Sequence, residues 1–258
     1  MLLLDGMLIR TFLVLLSALA LEAADARPIA AISHRGEHLH HVENTHDAFE
    51  AAFKAGATYF ECDVRTTSDG KLVLMHDSRV DRTTDGKGEV SALTFEQIRA
   101  LHPRVPTFDE ALAFAHGKIG IYIDSKRLSA QDLVDAVERH HMAASVVVYG
   151  DPAFLKQVGA LRPDLRLMPE AGSLDRVSAL IEMLHPLVFA FDAKDFQDDI
   201  IAAARAAKAD IFVDRLGPAD TPASWQDAID RGATGIQTDK PAELVDYLRQ
   251  HGYTVARP

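Results

Sequence analysis

The chain has very little of several features on which whole classes of protein depend. Its 258 residues include a single cysteine, Cys62, so it can form neither an internal disulfide nor a Cys-x-x-Cys metal site. Lysine and arginine total 27 against 38 aspartate and glutamate, which gives a net charge of −11. Nucleic-acid phosphates and anionic lipids repel such a chain, and the sequence offers no basic patch to offset this. We therefore expect no nucleic-acid partner.

The chain also lacks an apolar run long enough to cross a bilayer. Its most hydrophobic stretch, residues 12–21, is shorter than the ~20 residues that a spanning helix needs. Arg10 precedes this stretch and Ala24-Asp25-Ala26 follows it, a pattern typical of a secretory signal. We predict a signal peptide at residues 1–26, export to the periplasm or the medium, and no stable membrane anchor after processing. The alternative to a signal peptide is that the start of the chain is assigned too early and is followed by a disordered leader.

What the sequence does contain is an ordinary globular composition, with 48% hydrophobic and 25% charged residues. From residue 29 onward, short apolar runs alternate with amphipathic stretches of helical period, which is typical of βα units around a parallel sheet. Residues 27–258 suit one α/β domain, a (β/α)8 TIM barrel without a large insertion domain. There are nine apolar runs, one more than this barrel needs. We therefore expect Leu165–Met168 or Leu187–Phe191 to be a minor strand.

One connection between apolar runs is too short to hold a helix. Only 12 residues separate Asp63 from His76, and Ser68-Asp69-Gly70-Lys71 among them is a turn signal. A strand–helix–strand crossover does not fit this length, so we predict a hairpin in place of the helix between strands 2 and 3. In this prediction the chain runs back down the outside of the barrel, turns and rises again. His76 then lies at the same end as Asp63, the end where barrel active sites are found.

Carboxylates converge at this predicted barrel mouth. Glu61 and Asp63 are two residues apart on one strand and project to the same side. They repel each other unless a cation lies between them, and Asp124, at the end of a later strand, would add a third carboxylate. Such an all-oxygen site suits Mg²⁺ or Ca²⁺. The alternative is an ordinary ion network in which Arg65 or Lys126 neutralises the pair.

Two histidines, His34 and His76, also follow apolar runs. Histidine changes its charge near neutral pH, so the two could act as an acid and a base. Arg35 offers a fork of hydrogen-bond donors and Lys126 a point charge, and both suit a phosphoryl oxygen. Together with the carboxylates, these residues indicate metal-assisted phosphoryl transfer.

A series of short strings occurs in order along the chain, from about residue 31 to 126 and again at about 224–248. The strings are His34-Arg35-Gly36, Glu43-Asn44-Thr45, Glu61-Cys62-Asp63-Val64, Asp69-Gly70, His76-Asp77, Asp81-Arg82-Thr83-Thr84-Asp85-Gly86-Lys87-Gly88, Pro106-Thr107 and Thr238-Asp239-Lys240-Pro241. They resemble the motifs of the glycerophosphodiester phosphodiesterase family. So many strings in the right order are a far more specific signal than a lone motif.

The resemblance implies a TIM barrel that hydrolyses glycerophosphodiesters to sn-glycerol 3-phosphate and an alcohol. It makes His34 and His76 the acid/base pair. It also assigns a divalent cation to Glu61, Asp63 and Asp124, and it allows His76 to touch the metal as well.

The resemblance assigns supporting residues too. Arg35 and Lys126 would contact the substrate phosphate, and Glu43 would orient the His34-Arg35 end of the first strand from behind. The substrate would be a small molecule.

Two of the departures from the family pattern concern the residues around the predicted site. Position 124 is Asp where the family usually has Glu, so the side chain is one methylene shorter and the metal would shift or bind more weakly. His38, His40 and His41 make the segment before Glu43 unusually rich in histidine. They are either a solvated variable loop or an auxiliary metal or phosphate contact.

Three other side chains have simpler interpretations. Cys62 alternates with the two inward carboxylates, so we expect a buried structural thiol between strands and helices. Trp225 lies in a helical stretch and is expected to pack in the core. Arg82 would either aid the phosphate site or pair with Asp81 or Asp85.

Two competing functions stay open at this point. A lipid-directed phosphodiesterase, resembling sphingomyelinase D or lysophospholipase D, would use the same barrel but needs an apolar, aromatic interfacial loop. Aromatic residues make up only 7% of the chain, which favours a soluble substrate. A weakly catalytic binding protein is the other alternative: the complete set of His34, His76, Glu61 and Asp63 speaks against it, while Asp124 keeps it open.

Overall fold

The computed structural model describes residues 28–102 and 104–258, and the predicted signal peptide lies outside them. The strands are β1 (Ala30–Ser33), β2 (Tyr59–Thr66), β3 (Leu72–Leu74), β4 (Gly120–Arg127), β5 (Val146–Tyr149), β6 (Arg166–Met168), β7 (Val188–Phe191), β8 (Asp210–Arg215) and β9 (Gly235–Thr238). The α-helices are α1 (His46–Ala55), α2 (Phe95–Leu101), α3 (Phe108–Ala115), α4 (Ala130–Arg139), α5 (Pro152–Leu161), α6 (Leu174–Leu184), α7 (Asp198–Ala206), α8 (Pro222–Asp230) and α9 (Pro241–Gln250). None of the described helices is long and apolar enough to cross a membrane.

All strands except β3 form one parallel sheet in the order β6-β5-β4-β2-β1-β9-β8-β7. Backbone hydrogen bonds between the ends of β6 and β7 draw this sheet into a ring. Ala190 N–H donates to the Pro169 carbonyl over 3.0 Å, and Ala171 N–H donates to the Ala190 carbonyl over 2.8 Å. The predicted (β/α)8 barrel is therefore confirmed, and the described residues include no large insertion domain.

The predicted hairpin is present between β2 and β3, but its direction is not the predicted one. β2 continues past Asp63 to Thr66, and β3 then returns antiparallel to it, with Val64 opposite Leu74. β3 therefore lies outside the ring and does not rise as a barrel strand. Met75 N–H donates to the Asp63 carbonyl over 2.9 Å, so the chain still comes back to the level of Asp63, as predicted.

The expectation that Leu165–Met168 or Leu187–Phe191 is a minor strand is wrong. Both contain full members of the barrel, because β6 pairs with β5 and β7 pairs with β8. The surplus apolar run is β3, which pairs only with β2. Helix α3 follows it and carries the chain to β4, so the crossover that the short hairpin could not supply comes afterwards.

Local signals in the sequence set where several helices begin. Thr45 caps α1 by accepting a hydrogen bond from Ala48 N–H, and Thr107 forms a capping box with Glu110 at the start of α3. Pro152, Pro222 and Pro241 each stand in a first helical turn, where a missing N–H costs nothing. These starts fix the connections that follow the strands, and so they shape the barrel mouth.

Side chains alternate across β2 as its period of two requires. Phe60, Cys62 and Val64 point outward into the buried layer between strands and helices, so the structural assignment of Cys62 is confirmed. Tyr59 belongs to the apolar plug inside the barrel, whose members include Ile32, Tyr122, Met168, Val188 and Phe212. Glu61 and Asp63 follow Tyr59 on that inner face, above the plug. The core also includes Trp225, as expected.

Candidate active site

A cavity of about 170 Å³ opens at the carboxyl ends of the barrel strands. Seven of the eight residues singled out from the sequence line it: His34, Arg35, Glu61, Asp63, His76, Asp124 and Lys126. The eighth, Glu43, lies behind Arg35, whose guanidinium donates to both Glu43 oxygens over 3.2 and 3.3 Å. The topology thus brings together residues that are up to 92 positions apart in the chain.

The carboxylates of Glu61, Asp63 and Asp124 form one cluster. Each offers an oxygen, and these oxygens all lie within 4.8 Å of one another. The register explains the arrangement, because Asp63 on β2 stands directly beside Asp124 on β4. Burial, and then the charges of Asp63 and Asp124, raise the pKa of Glu61 well above its usual value. Burial also raises the pKa of Asp124. The cluster therefore has a strong electrostatic demand for a cation.

Two basic side chains meet part of that demand. Lys126 Nζ lies 2.6 Å from Asp124 Oδ2 and 3.3 Å from Asp63 Oδ1. Arg35 Nε lies 3.7 Å from Asp63 Oδ2. The alternative ion network is thus present in part, because Lys126 pairs with the carboxylates. The Arg65 guanidinium instead donates hydrogen bonds to the backbone carbonyls of Met75 and His76.

Asn44 holds Asp63 in place from behind. Its Nδ2 donates to Asp63 Oδ2 over 2.7 Å, and its Oδ1 accepts from Asp63 N–H over 3.1 Å. Asn44 has a left-handed backbone with φ of 57°, a conformation that asparagine tolerates better than most residues. Asn44 belongs to the Glu43-Asn44-Thr45 string, but no role in the site was predicted for it. Its position directly before the cap of α1 is the signal that could have indicated one.

The turn after β1 brings the backbone N–H of Arg35 to the carboxylate cluster. Arg35 has φ of 52°, and its N–H donates to Glu61 Oε2 over 2.8 Å. Gly36 follows with φ of +76°, and a Cβ there would come within 2.7 Å of the Ala48 backbone. Only glycine fits this close approach, so the motif His34-Arg35-Gly36 has a steric basis.

His34 is oriented by a carboxylate from the last barrel strand end. Its Nδ1 bonds to Asp239 Oδ1 over 2.8 Å, and His38 Nε2 bonds to the same oxygen over 2.9 Å. Gly217 N–H donates to the other oxygen, Asp239 Oδ2, over 2.8 Å. Although burial opposes it, the hydrogen bonds from His34 and Gly217 lower the pKa of Asp239. Asp239 therefore holds the His34 ring through Nδ1.

His76 is oriented in a matching way by Asp77. His76 Nδ1 bonds to Asp77 Oδ1 over 2.8 Å, and Arg82 Nε donates to Asp77 Oδ2 over 2.7 Å. The hydrogen bond from Arg82 is the main reason why the pKa of Asp77 is well below its usual value. Arg82 also donates to both oxygens of Glu43 over 2.6 and 2.8 Å. Glu43 and Arg82 thus connect Arg35 on one side of the site with His76 on the other.

Arg82 pairs with Glu43 and Asp77. Of the two alternatives for Arg82, the structure does not have the pairing with Asp81 or Asp85, because the long side chain reaches across to the barrel mouth instead.

Of the loop histidines, His40 and His41 contact Glu37 at the surface, where the His40 side chain is 80% exposed. His38 instead joins the Asp239 cluster. One member of the His-rich loop therefore reaches the site, and two lie outside it.

Five further polar residues that were not predicted as site residues line the same cavity: Tyr149, Glu170, Asp192, Asp214 and Gln237. Tyr149 stands directly beside Asp124 in the register of β4 and β5. All five lie near or just after the ends of β5 to β9, so the rule that pointed to Asp63 and Asp124 would have indicated them as well. They stand outside the strings that carry the family resemblance.

The carboxylate cluster fits a hard divalent cation. Its three donors are all oxygens, and two of them belong to the nearly fully buried side chains of Glu61 and Asp63. Mg²⁺ and Ca²⁺ prefer such ligands, whereas Zn²⁺ favours nitrogen and sulfur. The shared Asp239 oxygen with His34 and His38 forms a second group of possible ligands.

Comparison with known proteins agrees with this geometry. A family model described as "Glycerophosphoryl diester phosphodiesterase family" matches residues 34–243. A glycerophosphodiester phosphodiesterase of Caldanaerobacter subterraneus is 28% identical over 86% of this chain and 98% of its own length. Human glycerophosphodiester phosphodiesterase 1 is 42% identical over 128 residues, which cover 44% of this chain and 38% of the human protein. The matched segment thus spans less than half of that human relative.

Solved structures resemble the whole barrel. A glycerophosphodiester phosphodiesterase from Agrobacterium tumefaciens is 25% identical with a TM-score of 0.76, covering 84% of this chain and 99% of its own. A phosphodiesterase from Oleispira antarctica, solved with the product sn-glycerol-3-phosphate, is 18% identical with a TM-score of 0.76, over 85% and 96% of the two chains. With a family model covering most of the sequence and the same barrel in these structures, the chain belongs to the glycerophosphoryl diester phosphodiesterase family.

Proposed function

We propose that this chain hydrolyses small glycerophosphodiesters to sn-glycerol 3-phosphate and an alcohol, and that it needs a divalent cation to do so. One observation carries the proposal. In a single cavity, two histidines whose Nδ1 atoms are held by carboxylates flank a cluster of three further carboxylates. Family membership supports the same chemistry.

The two histidines would move the protons of the reaction. Asp239 and Asp77 occupy Nδ1 of His34 and His76, so Nε2 of each ring is free to act. One histidine takes a proton from the attacking water as the new phosphorus–oxygen bond forms. The other gives a proton to the alcohol oxygen as its bond to phosphorus breaks. A carboxylate behind each ring fixes its orientation.

Arg35 and Lys126 would bind the phosphate. Both line the cavity beside the histidines, and both present N–H donors that suit phosphoryl oxygens. Arg35 is held between Glu43 and Asp63, so its guanidinium is fixed before substrate arrives. Lys126 has a point charge that can be shared between Asp124 and a phosphate oxygen.

Glu61, Asp63 and Asp124 would hold the cation, which we propose to be Mg²⁺ or Ca²⁺. A bound ion of this kind polarises phosphoryl oxygens and neutralises the charge that develops on them. His76 lines the same cavity and could serve as a further ligand. The shorter Asp124 side chain favours Ca²⁺, which accepts irregular geometry and extra waters more readily than Mg²⁺.

The site favours a small soluble substrate over a lipid. Charged and polar side chains make up most of the cavity wall, and its volume of about 170 Å³ is too small for acyl chains. The sequence pattern at residues 1–26 further supports export, so we propose that the enzyme acts in the periplasm or outside the cell.

A substrate panel tests the proposal. The purified chain is offered glycerophosphodiesters, lysophosphatidylcholine and sphingomyelin, first with EDTA and then with Mg²⁺ or Ca²⁺ restored. We expect sn-glycerol 3-phosphate to be released from the glycerophosphodiesters, only after a cation is restored. Turnover of the two lipids alone, detected as release of choline, would support the lipid-directed alternative. No turnover of any substrate would favour a binding protein.

A further inference from the structure

Among the described lining residues, the arginine and the lysine both belong to one half of the cavity, the half that also holds the carboxylate cluster. The basic lining residues, Arg35 and Lys126 with the two histidines, come from β1 to β4. The other half contains Glu170, Asp192 and Asp214, which end or follow β6, β7 and β8; we refer to these three as the acidic wall. In the ring, β7 and β8 stand opposite β2 and β4. The acidic wall therefore faces the phosphate and cation site across the cavity.

The carboxylates of the acidic wall are not neutralised inside the cavity. Among the lining residues that the structure describes, no lysine or arginine comes from β5 to β9. Glu170 accepts hydrogen bonds from Tyr149 Oη and Asp192 N–H, both over 3.1 Å. None of the described residues donates a hydrogen bond to the Asp214 carboxylate. Lys194 contacts Asp192 but is 80% exposed, so it offers only a solvated charge at the rim.

Gln237 is a second, independent indication that this half of the cavity binds a ligand. It stands directly beside Asp214 in the register of β8 and β9, lines the cavity and is 94% buried, with 6% of its surface exposed. Its Oε1 has no hydrogen-bond partner among the residues that the structure describes. A buried amide oxygen without a donor is costly, so the position suits a ligand that brings an N–H or O–H.

The chemistry of this half selects one kind of group. Carboxylates repel anions and attract cations, and the Gln237 oxygen can accept a hydrogen bond from a donor on the ligand. Tyr122, Tyr149 and Phe191 line the same space, and aromatic rings also favour cations. A primary ammonium group suits the carboxylates, the aromatic rings and the Gln237 oxygen. A quaternary ammonium group carries no N–H for Gln237. A neutral alcohol gains no charge attraction.

We propose that the acidic wall binds the ammonium group of the substrate's alcohol, so that the enzyme prefers glycerophosphodiesters of a primary amino alcohol. The assignment rests on the phosphodiesterase function proposed above. The substrate's own charges then match the cavity. Its phosphate lies toward Arg35 and Lys126, and its ammonium lies toward Asp214 and Glu170.

Substrates of different charge test the assignment. We would compare kcat/KM for the ethanolamine, choline and glycerol diesters of glycerol phosphate, with wild type and with Asp214→Asn. We expect the order ethanolamine, choline, glycerol for wild type. Because a charged hydrogen bond is lost, the ethanolamine-to-glycerol ratio should fall by about tenfold in Asp214→Asn. Glu182→Gln, an exposed position on α6, removes the same charge and should leave the ratio unaltered.

A second measurement needs no variant. Ethanolamine, the free alcohol product, should inhibit wild type at concentrations where ethylene glycol does not. Equal inhibition by the two compounds, equal turnover of charged and neutral substrates, or an equal loss for every substrate in Asp214→Asn would overturn the acidic-wall assignment alone. The last result would mean that the wall holds the glycerol moiety. No turnover of any diester would overturn the proposed function as well.

Discussion

Asp63 and Asp124 are register partners on the adjacent parallel strands β2 and β4, and Lys126 Nζ lies within 3.3 Å of a carboxylate oxygen of each. Two carboxylates on neighbouring strands would otherwise repel each other in a buried site. Burial disfavours the charged Lys126, but the charges of Asp124 and Asp63 outweigh it and raise its pKa. Lys126 thus has two tasks, since it neutralises the cluster and faces the site proposed for the phosphate.

The first prediction concerns this neutralising role. Lys126→Met should lower the free energy of unfolding of the EDTA-treated protein by about 1–3 kcal/mol, because carboxylates are left without their buried partner. Saturating Mg²⁺ or Ca²⁺ should restore part of that loss, since a bound cation replaces the missing charge. Urea unfolding with and without the cation measures both effects. Lys54→Met, which removes an exposed helix pair with Glu50, is the matched control, and an equal loss in the two variants would contradict the prediction.

The second prediction concerns the histidines. His34→Ala and His76→Ala should each lower kcat by about 10²–10⁴ with a modest change in KM, because a proton carrier is lost while the phosphate ligands remain. Steady-state kinetics on a glycerophosphodiester measures this. His40→Ala, at a position that is 80% exposed, should stay close to wild type. A loss below tenfold at either His34 or His76 would show that the residue carries no proton.

The third prediction concerns the bridge formed by Arg82. Arg82→Ala should lower kcat/KM by about 10- to 100-fold, because Asp77 behind His76 and Glu43 behind Arg35 lose a shared partner. Arg82→Lys should recover only part of the activity, since lysine cannot span both carboxylates with a planar fork. Arg79, in the same loop, pairs with Asp81 and Glu89 at the surface. If Arg79→Ala lowered activity as much as Arg82→Ala, the bridge would have no special role.

The fourth prediction concerns pH. Burial, and then the charges of Asp192, Asp124 and Asp195, raise the pKa of Asp214 from 3.8 to about 7. Its contribution to the free energy of unfolding is therefore full below about pH 4 and is lost as the pH rises through about 7. Asp214→Asn stays neutral, so it should match wild type near pH 4 and exceed its stability by about 4 kcal/mol at pH 8. Urea unfolding at the two pH values checks this, and a stability difference that does not change with pH would contradict it.

Much of the site was predictable because strand ends of a parallel barrel meet at one mouth. The alternation along β2 placed Glu61 and Asp63 inward, and the same rule brought Asp124 beside them. The direction of the hairpin was not predictable in this way. An apolar run such as Leu72–Leu74 looks the same whether its strand is parallel or antiparallel, and only the pairing with Val64 and Thr66 decides.

Contacts between side chains that are far apart in the chain could not be predicted from the sequence, for a different reason. Arg82 reaches Glu43, 39 positions away in the chain, and such a pairing depends on how the loop after β3 folds against the barrel. Asp239 is 205 positions from His34, so only the closed ring brings the two together. The acidic wall was missed because no motif marks it, although its residues obey the same strand-end rule.

Calorimetric titration of Mg²⁺ and Ca²⁺ into the metal-free protein measures cation binding by the carboxylate cluster without relying on turnover. We expect one site per chain for wild type, and binding that is at least tenfold weaker in Asp124→Ala because one of three charged ligands is removed. Asp135→Ala, an exposed position on α4, should bind like wild type. Unchanged affinity and stoichiometry in Asp124→Ala would remove this residue from the site and contradict the three-carboxylate account.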